Sequence, residues 1–315
     1  MSFTTPKKLQ LPGQISAQLK GQLAVLATAV LMSTNGLFVK LLPWHATVIL
    51  CLRSVIAVIF LLVLRIVFPP PKESKKNTFA FWASGIFFAA TMYTLIIAFK
   101  LTTSANAILL QFGAPVWAAL LGWFLIKEKP HWEHWLALVL VLGGLTIFFR
   151  DSLGGGGLGG DILAIFSGIL YGATSVFLRM MKTGNTRDAM LLAHVICAVT
   201  GIPFLFIYPP TFTAFSALAI TYMGTIQIGL ATLLFAYGVK RISAVQTMLT
   251  TVAEPLLNPV WVLFLAGEKP SKAALFGGSV IITAVVVSSL ISMKRENKKP
   301  EAEKPYYEEE KGNPA

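Results

Sequence analysis

Ten apolar blocks of about 20 residues each, set apart by short charged or Pro/Gly-rich gaps, constrain this chain more than any other feature. They fall at 22–42, 46–68, 79–99, 103–126, 132–149, 160–181, 188–208, 216–239, 243–266 and 273–293. At 1.5 Å of rise per residue, a helix of about 20 residues crosses a hydrocarbon core about 30 Å thick. Only 13% of the residues are charged, where soluble domains carry about 25%. Mean hydropathy is +0.71. The expected fold is an all-α polytopic membrane protein with ten transmembrane helices.

The formal charge of +12 could suggest nucleic acid as a partner, but no basic stripe or nucleic-acid motif accompanies it. The cations sit in the gaps between blocks, where they orient the protein. With the N-terminus inside, twenty of the 26 lysines and arginines lie in cytoplasmic segments, five lie outside, and Arg53 lies within a block. The positive-inside rule therefore puts both termini in the cytoplasm, with the plasma (inner) membrane as the expected location. The first block is longer than a signal-peptide core and is followed by Lys40, Pro43 and Trp44, so it reads as a retained span. Residues 1–21 and 294–315 read as cytoplasmic tails, the second Lys/Glu/Pro-rich and disordered. Cys51 and Cys197 fall inside blocks as small hydrophobes, and neither a disulfide, a metal site nor a cofactor is expected.

The ninth block carries Glu254 and Pro255 near its middle and leads to Glu268-Lys269-Pro270. An earlier echo runs from Ser104-Ala105 through Pro115-Val116-Trp117 to Glu128-Lys129-Pro130. From proline to glutamate is 13 positions in both copies. Upstream, Leu31, Asn35, Phe38 and Lys40 are matched in spacing by Leu170, Thr174, Phe177 and Arg179. Between the copies lies a Gly-rich linker at 151–160, which lacks the Lys-Ser/Thr that a phosphate loop needs. Two five-helix repeats, 22–150 and 161–293, follow. Five is odd, so the second repeat enters the membrane from the opposite side, an arrangement common in secondary transporters with a site near the midplane.

Two five-helix repeats, Pro115 and Glu254-Pro255 in the fourth helix of each, and the Glu-Lys-Pro turns together resemble the drug/metabolite transporter superfamily, in its EamA-type ten-helix branch. The resemblance covers roughly residues 21–293. It implies export or exchange of small metabolites, often amino acids or related compounds, through a pathway lined by the first, third and fourth helices of each half. The first copy has Ala114 where the second has Glu254, so a single copy keeps the acid.

Glu254 is the only acidic residue well inside a block. Such a residue is costly in lipid, so it reads as a cavity residue that binds an amine or carries a proton, or as a structural acid paired with Arg53. Gln111, Asn35, Tyr93, Trp117, Tyr171, Gln227 and Asn258 are pathway candidates; the same side chains could serve as interhelical hydrogen-bond glue. Arg53 and His194 read as gating or charge-pairing residues, with ordinary packing as the alternative for His194. Pro115, Pro255 and Pro259 each remove a helical hydrogen bond and mark helix breaks. Gly85, Gly143, Gly144, Gly277 and Gly278 permit close helix approach. The fifth and tenth helices hold few internal polar residues and read as a packing face or a homodimer face.

The expected function is secondary transport of a small metabolite by alternating access, with export favoured, the bilayer as environment and protons as candidate coupling ion. An uncoupled facilitator on the same fold is the first alternative. A membrane-embedded enzyme is the second, and it would need a cluster of His, Asp or Glu at usable spacing that the sequence does not offer.

Overall fold

The structure is a computed structural model that describes residues 17–69, 77–102, 104–148, 150, 157–181, 186–257, 261 and 272–298. The described residues are mostly helical, with no strand among them. In chain order the helices are α1 (Ala17–Met32), α2 (Asn35–Leu41), α3 (Ala46–Val67), α4 (Thr78–Leu101), α5 (Ser104–Gln111), α6 (Ala114–Ile126) and α7 (Trp132–Phe148). Then come α8 (Leu158–Met180), α9 (Thr186–Ile207), α10 (Ala214–Tyr222), a π-helical segment (Met223–Leu230), α11 (Ala231–Val239), α12 (Ala244–Thr251) and α13 (Lys272–Lys298).

Seven helical stretches among the described residues are long and apolar enough to cross a membrane, and α1 and α7 are shorter apolar helices. The ninth block lies partly outside the described residues, as do the second Glu-Lys-Pro turn, Asn258 and Pro259. Where helices begin, local chemistry fixes the start. Asn77 accepts at Oδ1 from the Ala80 amide, and Thr213 with Ser216 and Ser243 with Gln246 form capping boxes. These side chains satisfy amides that a helix leaves without partners.

Two blocks are each divided between two helices. The first divides between α1 and α2, and the fourth between α5 and α6, where Pro115 occupies the first turn of α6. Proline fits a first turn because its missing N–H would have no partner there. The last helix runs past the expected end at 293 to Lys298, and Arg295 on that extension contacts Glu133 of α7.

Packing joins segments before the glycine run to segments after it. Helix α4 lies along α8 and α9; α3 lies along α9 and the π segment; α1 lies along α11 and α12; α6 lies along α8 and α12; α7 lies along α13. The α7–α13 contact is a close one. A Cβ on Gly277 would sit 2.5 Å from the Gly144 carbonyl oxygen and 2.6 Å from the Phe148 amide nitrogen, so only a glycine lets the backbones meet. The apolar core sits between these layers, while Val139, Ile66, Phe206 and Leu218 point outward. In water such exposure would be a liability; around a membrane helix it is the lipid face.

Candidate functional site

Helix interruptions meet in the middle of the bundle, and hydroxyls hold them open. At the end of α1, Ser33 Oγ donates to the Val30 carbonyl at 2.6 Å and Thr34 Oγ1 donates to that of Leu31 at 2.8 Å. Side chains thus take carbonyls that a continuing helix would have used. Both hydroxyls also accept from distant residues: Trp261 Nε1 donates to Ser33 Oγ at 2.8 Å, and Gln227 Nε2 donates to Thr34 Oγ1 at 2.9 Å. The Tyr222 hydroxyl lies 3.2 Å from Thr34 Oγ1. Gln227 belongs to the π segment and is fully buried, and its Oε1 has no hydrogen-bond partner among the described residues. A π segment widens a helix by one residue per turn and commonly marks a functional position.

Just past the α1 break, Asn35 opens α2 and accepts at Oδ1 from Arg53 Nη1 at 2.8 Å. Arg53 is buried in α3, and its Nε has no described partner. Its charge is within electrostatic reach of Glu254 and His194. Glu254 sits half-buried in the helical turn at 253–257, ahead of buried Pro255. The Tyr171 hydroxyl lies within electrostatic reach of Glu254 and within hydrogen-bonding reach of Thr251. The Tyr171 ring stacks on Phe235, with centroids 6.2 Å apart. Asn35, Arg53, Tyr171 and Glu254 come from four separate segments, and the bond that partners the guanidinium among the described residues is the one to Asn35. The Asn35 amide is the polar neighbour that partners the Arg53 charge within the apolar block.

The other sequence candidates are placed as follows. The Tyr93 hydroxyl lies 2.8 Å from Thr200 Oγ1, joining α4 to α9. His194 is fully buried with Nε2 3.1 Å from Thr232 Oγ1, and Phe88 meets it edge-on. Gln111 donates from Nε2 to Ser167 Oγ at 3.1 Å, and Ser167 donates to the Thr91 carbonyl, so this amide ties helices together. Trp117 is half-buried where α6 meets Gly172 of α8. Among the residues that sequence reasoning passed over, Ser33, Thr34, Thr200, Thr232 and Thr251 are the main ones. Short hydroxyls are ordinary inside apolar blocks, and nothing in the sequence sets these five apart.

Both ends of the cluster are bridged. At the end of α3, Arg65 Nη1 lies 3.0 Å from Asp188 Oδ1 of α9. Arg179 Nε donates to Glu128 Oε1 at 2.8 Å, while its Nη1 donates to the Lys240 carbonyl at 2.6 Å. At the opposite end of α3, Trp44 Nε1 donates to the Thr211 carbonyl at 3.0 Å and His45 stacks on Tyr208 at 4.0 Å.

A profile of the EamA-like transporter family matches residues 19–150 and, a second time, residues 158–290. This chain belongs to the EamA-like transporter family. It is a multi-pass membrane protein of the drug/metabolite transporter superfamily. It is 28% identical over 191 residues to an uncharacterized transporter of Bacillus subtilis, YwfM, covering 58% of this chain and 63% of that one. It is also 28% identical over 181 residues to Solute carrier family 35 member G1 of Mus musculus, covering 52% of this chain and 48% of that one. The chain therefore spans about half to two-thirds of the length of these two relatives. A solved crystal structure superposes with a TM-score of 0.74 over 88% of this chain and 98% of its own at 19% identity, so the two share a fold.

Proposed function

We propose that this EamA-family chain is a secondary transporter for a small zwitterionic metabolite, an amino acid or related compound. In this reading it exports its substrate across the plasma membrane by alternating access between two inverted five-helix halves, 22–150 and 161–293. The observation that supports the reading is a buried cation and an acid on segments from either side of the glycine run: Arg53 in α3, bonded to Asn35 beside the α1 break, and Glu254 ahead of buried Pro255. A guanidinium suits a carboxylate in planar, bidentate fashion, and a carboxylate suits an ammonium group. A substrate bearing both groups would engage the two charges at once.

The packing supports two related halves. Main contacts have counterparts once the repeats are exchanged: α4 on α8 answers α1 on α11, and α6 on α8 answers α1 on α12. The bridges at both ends of α3 suit halves that part at one end while meeting at the other. Glu254 is the residue assigned to exchange a proton, with the Arg53 charge within electrostatic reach of it.

The test is flux in sealed liposomes, comparing labelled amino acids with amines that lack a carboxylate, with and without a pH gradient. Saturable amino-acid flux that follows the gradient and disappears in Glu254→Gln is the expected result. Saturable flux indifferent to the gradient would make the protein a facilitator and leave Glu254 a substrate ligand. No saturable flux of any zwitterion would remove the reading.

A further inference from the structure

Away from the central cluster, an open groove of about 410 Å³ runs between α7 and α13 on the outer face of the bundle. That volume falls within the range of about 300–1,000 Å³ found for small-ligand sites. Its walls are mostly aliphatic, from Leu136 and Leu140 on α7 and Val280 and Val287 on α13. Ser279 and Thr283 add hydroxyls along α13, and the end nearest Arg295 carries a carboxylate. Glu133 and Ser288 line that end, both almost fully buried. Arg295 Nη1 lies 2.9 Å from Glu133 Oε1, a charge contact that lacks hydrogen-bond geometry, and no described donor bonds to either carboxylate oxygen or to the Ser288 hydroxyl. A buried carboxylate with one imperfect partner keeps an unmet demand for a donor. Next to the pair, His134 Nε2 lies 3.0 Å from Ser292 Oγ, so the neighbouring polar groups satisfy one another.

We propose that this groove binds one phosphatidylethanolamine molecule, with an acyl chain between α7 and α13, its ammonium on Glu133 and Ser288, and its phosphate at Arg295. The groove's length fits a single leaflet. From Ser279 to Ile291 it covers about 18 Å of α13 at 1.5 Å per residue, and half of a bilayer core is about 15 Å. A second copy of the chain would use the face across the full core rather than a trough that begins at one polar end. The charges select the headgroup. A carboxylate beside a guanidinium complements a zwitterion that carries N–H donors. Phosphatidylcholine offers a cation with no N–H, and phosphatidylglycerol offers no cation at all.

The test is native mass spectrometry of the delipidated full chain with palmitoyl-oleoyl phosphatidylethanolamine, phosphatidylcholine or phosphatidylglycerol, each added alone. The wild-type chain is expected to bind the ethanolamine lipid about tenfold more tightly than the other two, as one charge-assisted hydrogen bond allows. Glu133→Gln is expected to lose that preference. Thr283→Trp, which fills the groove from an exposed position, is expected to lose the bound lipid while leaving the Glu133–Arg295 contact in place. If Glu133→Gln does not fold, the wild-type headgroup series and Thr283→Trp decide. Equal binding of all three lipids overturns the proposal, as does an ethanolamine preference that survives Thr283→Trp. A dimer that Thr283→Trp abolishes, with no lipid bound to the wild type, also overturns it.

Discussion

Arg53 Nη1 donates to Asn35 Oδ1 at 2.8 Å, and this bond ties the second helix of the bundle to the segment just beyond the break in the first. It also orients the guanidinium, whose charge is within reach of Glu254.

Arg53→Ala is therefore expected to reduce initial flux at least about tenfold, a barrier change of about 1.4 kcal/mol. Arg53→Lys should recover little, because an ammonium cannot reproduce the fork. Asn35→Ala should cost less, and the double variant no more than Arg53→Ala alone. Wild-type flux in Arg53→Ala, at matched amounts of folded protein in the liposomes, would take the arginine out of the pathway.

Gly224 opens the π segment against α3. A Cβ there would stand 2.5 Å from Ile56 Cβ and 2.9 Å from the Arg53 carbonyl oxygen. Gly224→Ala should destabilise the protein by about 1–3 kcal/mol, the usual cost of overpacking, and lower flux along with it. An unchanged Tm in detergent would mean that the π segment yields without resistance.

Adjacent glycines in α7 should behave oppositely. Gly144 faces Gly277 and Ile281, whereas a Cβ on Gly143 meets nothing within 4 Å. Gly144→Ala and Gly277→Ala should each lower Tm, while Gly143→Ala should hold it or raise it by the helix-propensity gain of up to about 1 kcal/mol. Equal effects at 143 and 144 would contradict the close approach of α7 and α13.

The Arg179 side chain holds both Glu128 and the Lys240 carbonyl, so removing it should cost more than removing Glu128. A double-mutant cycle over Glu128→Ala and Arg179→Ala should return a coupling near 1 kcal/mol, modest because both side chains are partly solvated. Zero coupling in thermal unfolding would mean that the ion pair does not join α6 to α8.

The sequence is most legible where a single residue's own energetics decide. Pro115 marks a helix start because proline has no amide hydrogen to give, and that holds wherever the chain goes. Gly144 and Gly277 stood out as small residues in long apolar helices. Glu254 stood out because a carboxylate inside an apolar block is costly in any arrangement. The break after Met32 lay beyond this kind of reasoning, since the hydroxyls that hold it open carry no distinguishing signal.

The sequence by itself determined that the chain is helical, multi-pass and a member of its family, because transfer into lipid is an energy summed along the chain. Tertiary structure alone decided partners. Gln111 reads as a pathway residue or as interhelical glue, and its amide bonds Ser167. Arg53 could have paired with Glu254 directly, yet it bonds Asn35. Glu133, at the edge of its block, became a buried carboxylate because α13 continues to Arg295. A hydrogen bond or ion pair depends on two positions in space, and only the folded chain fixes both.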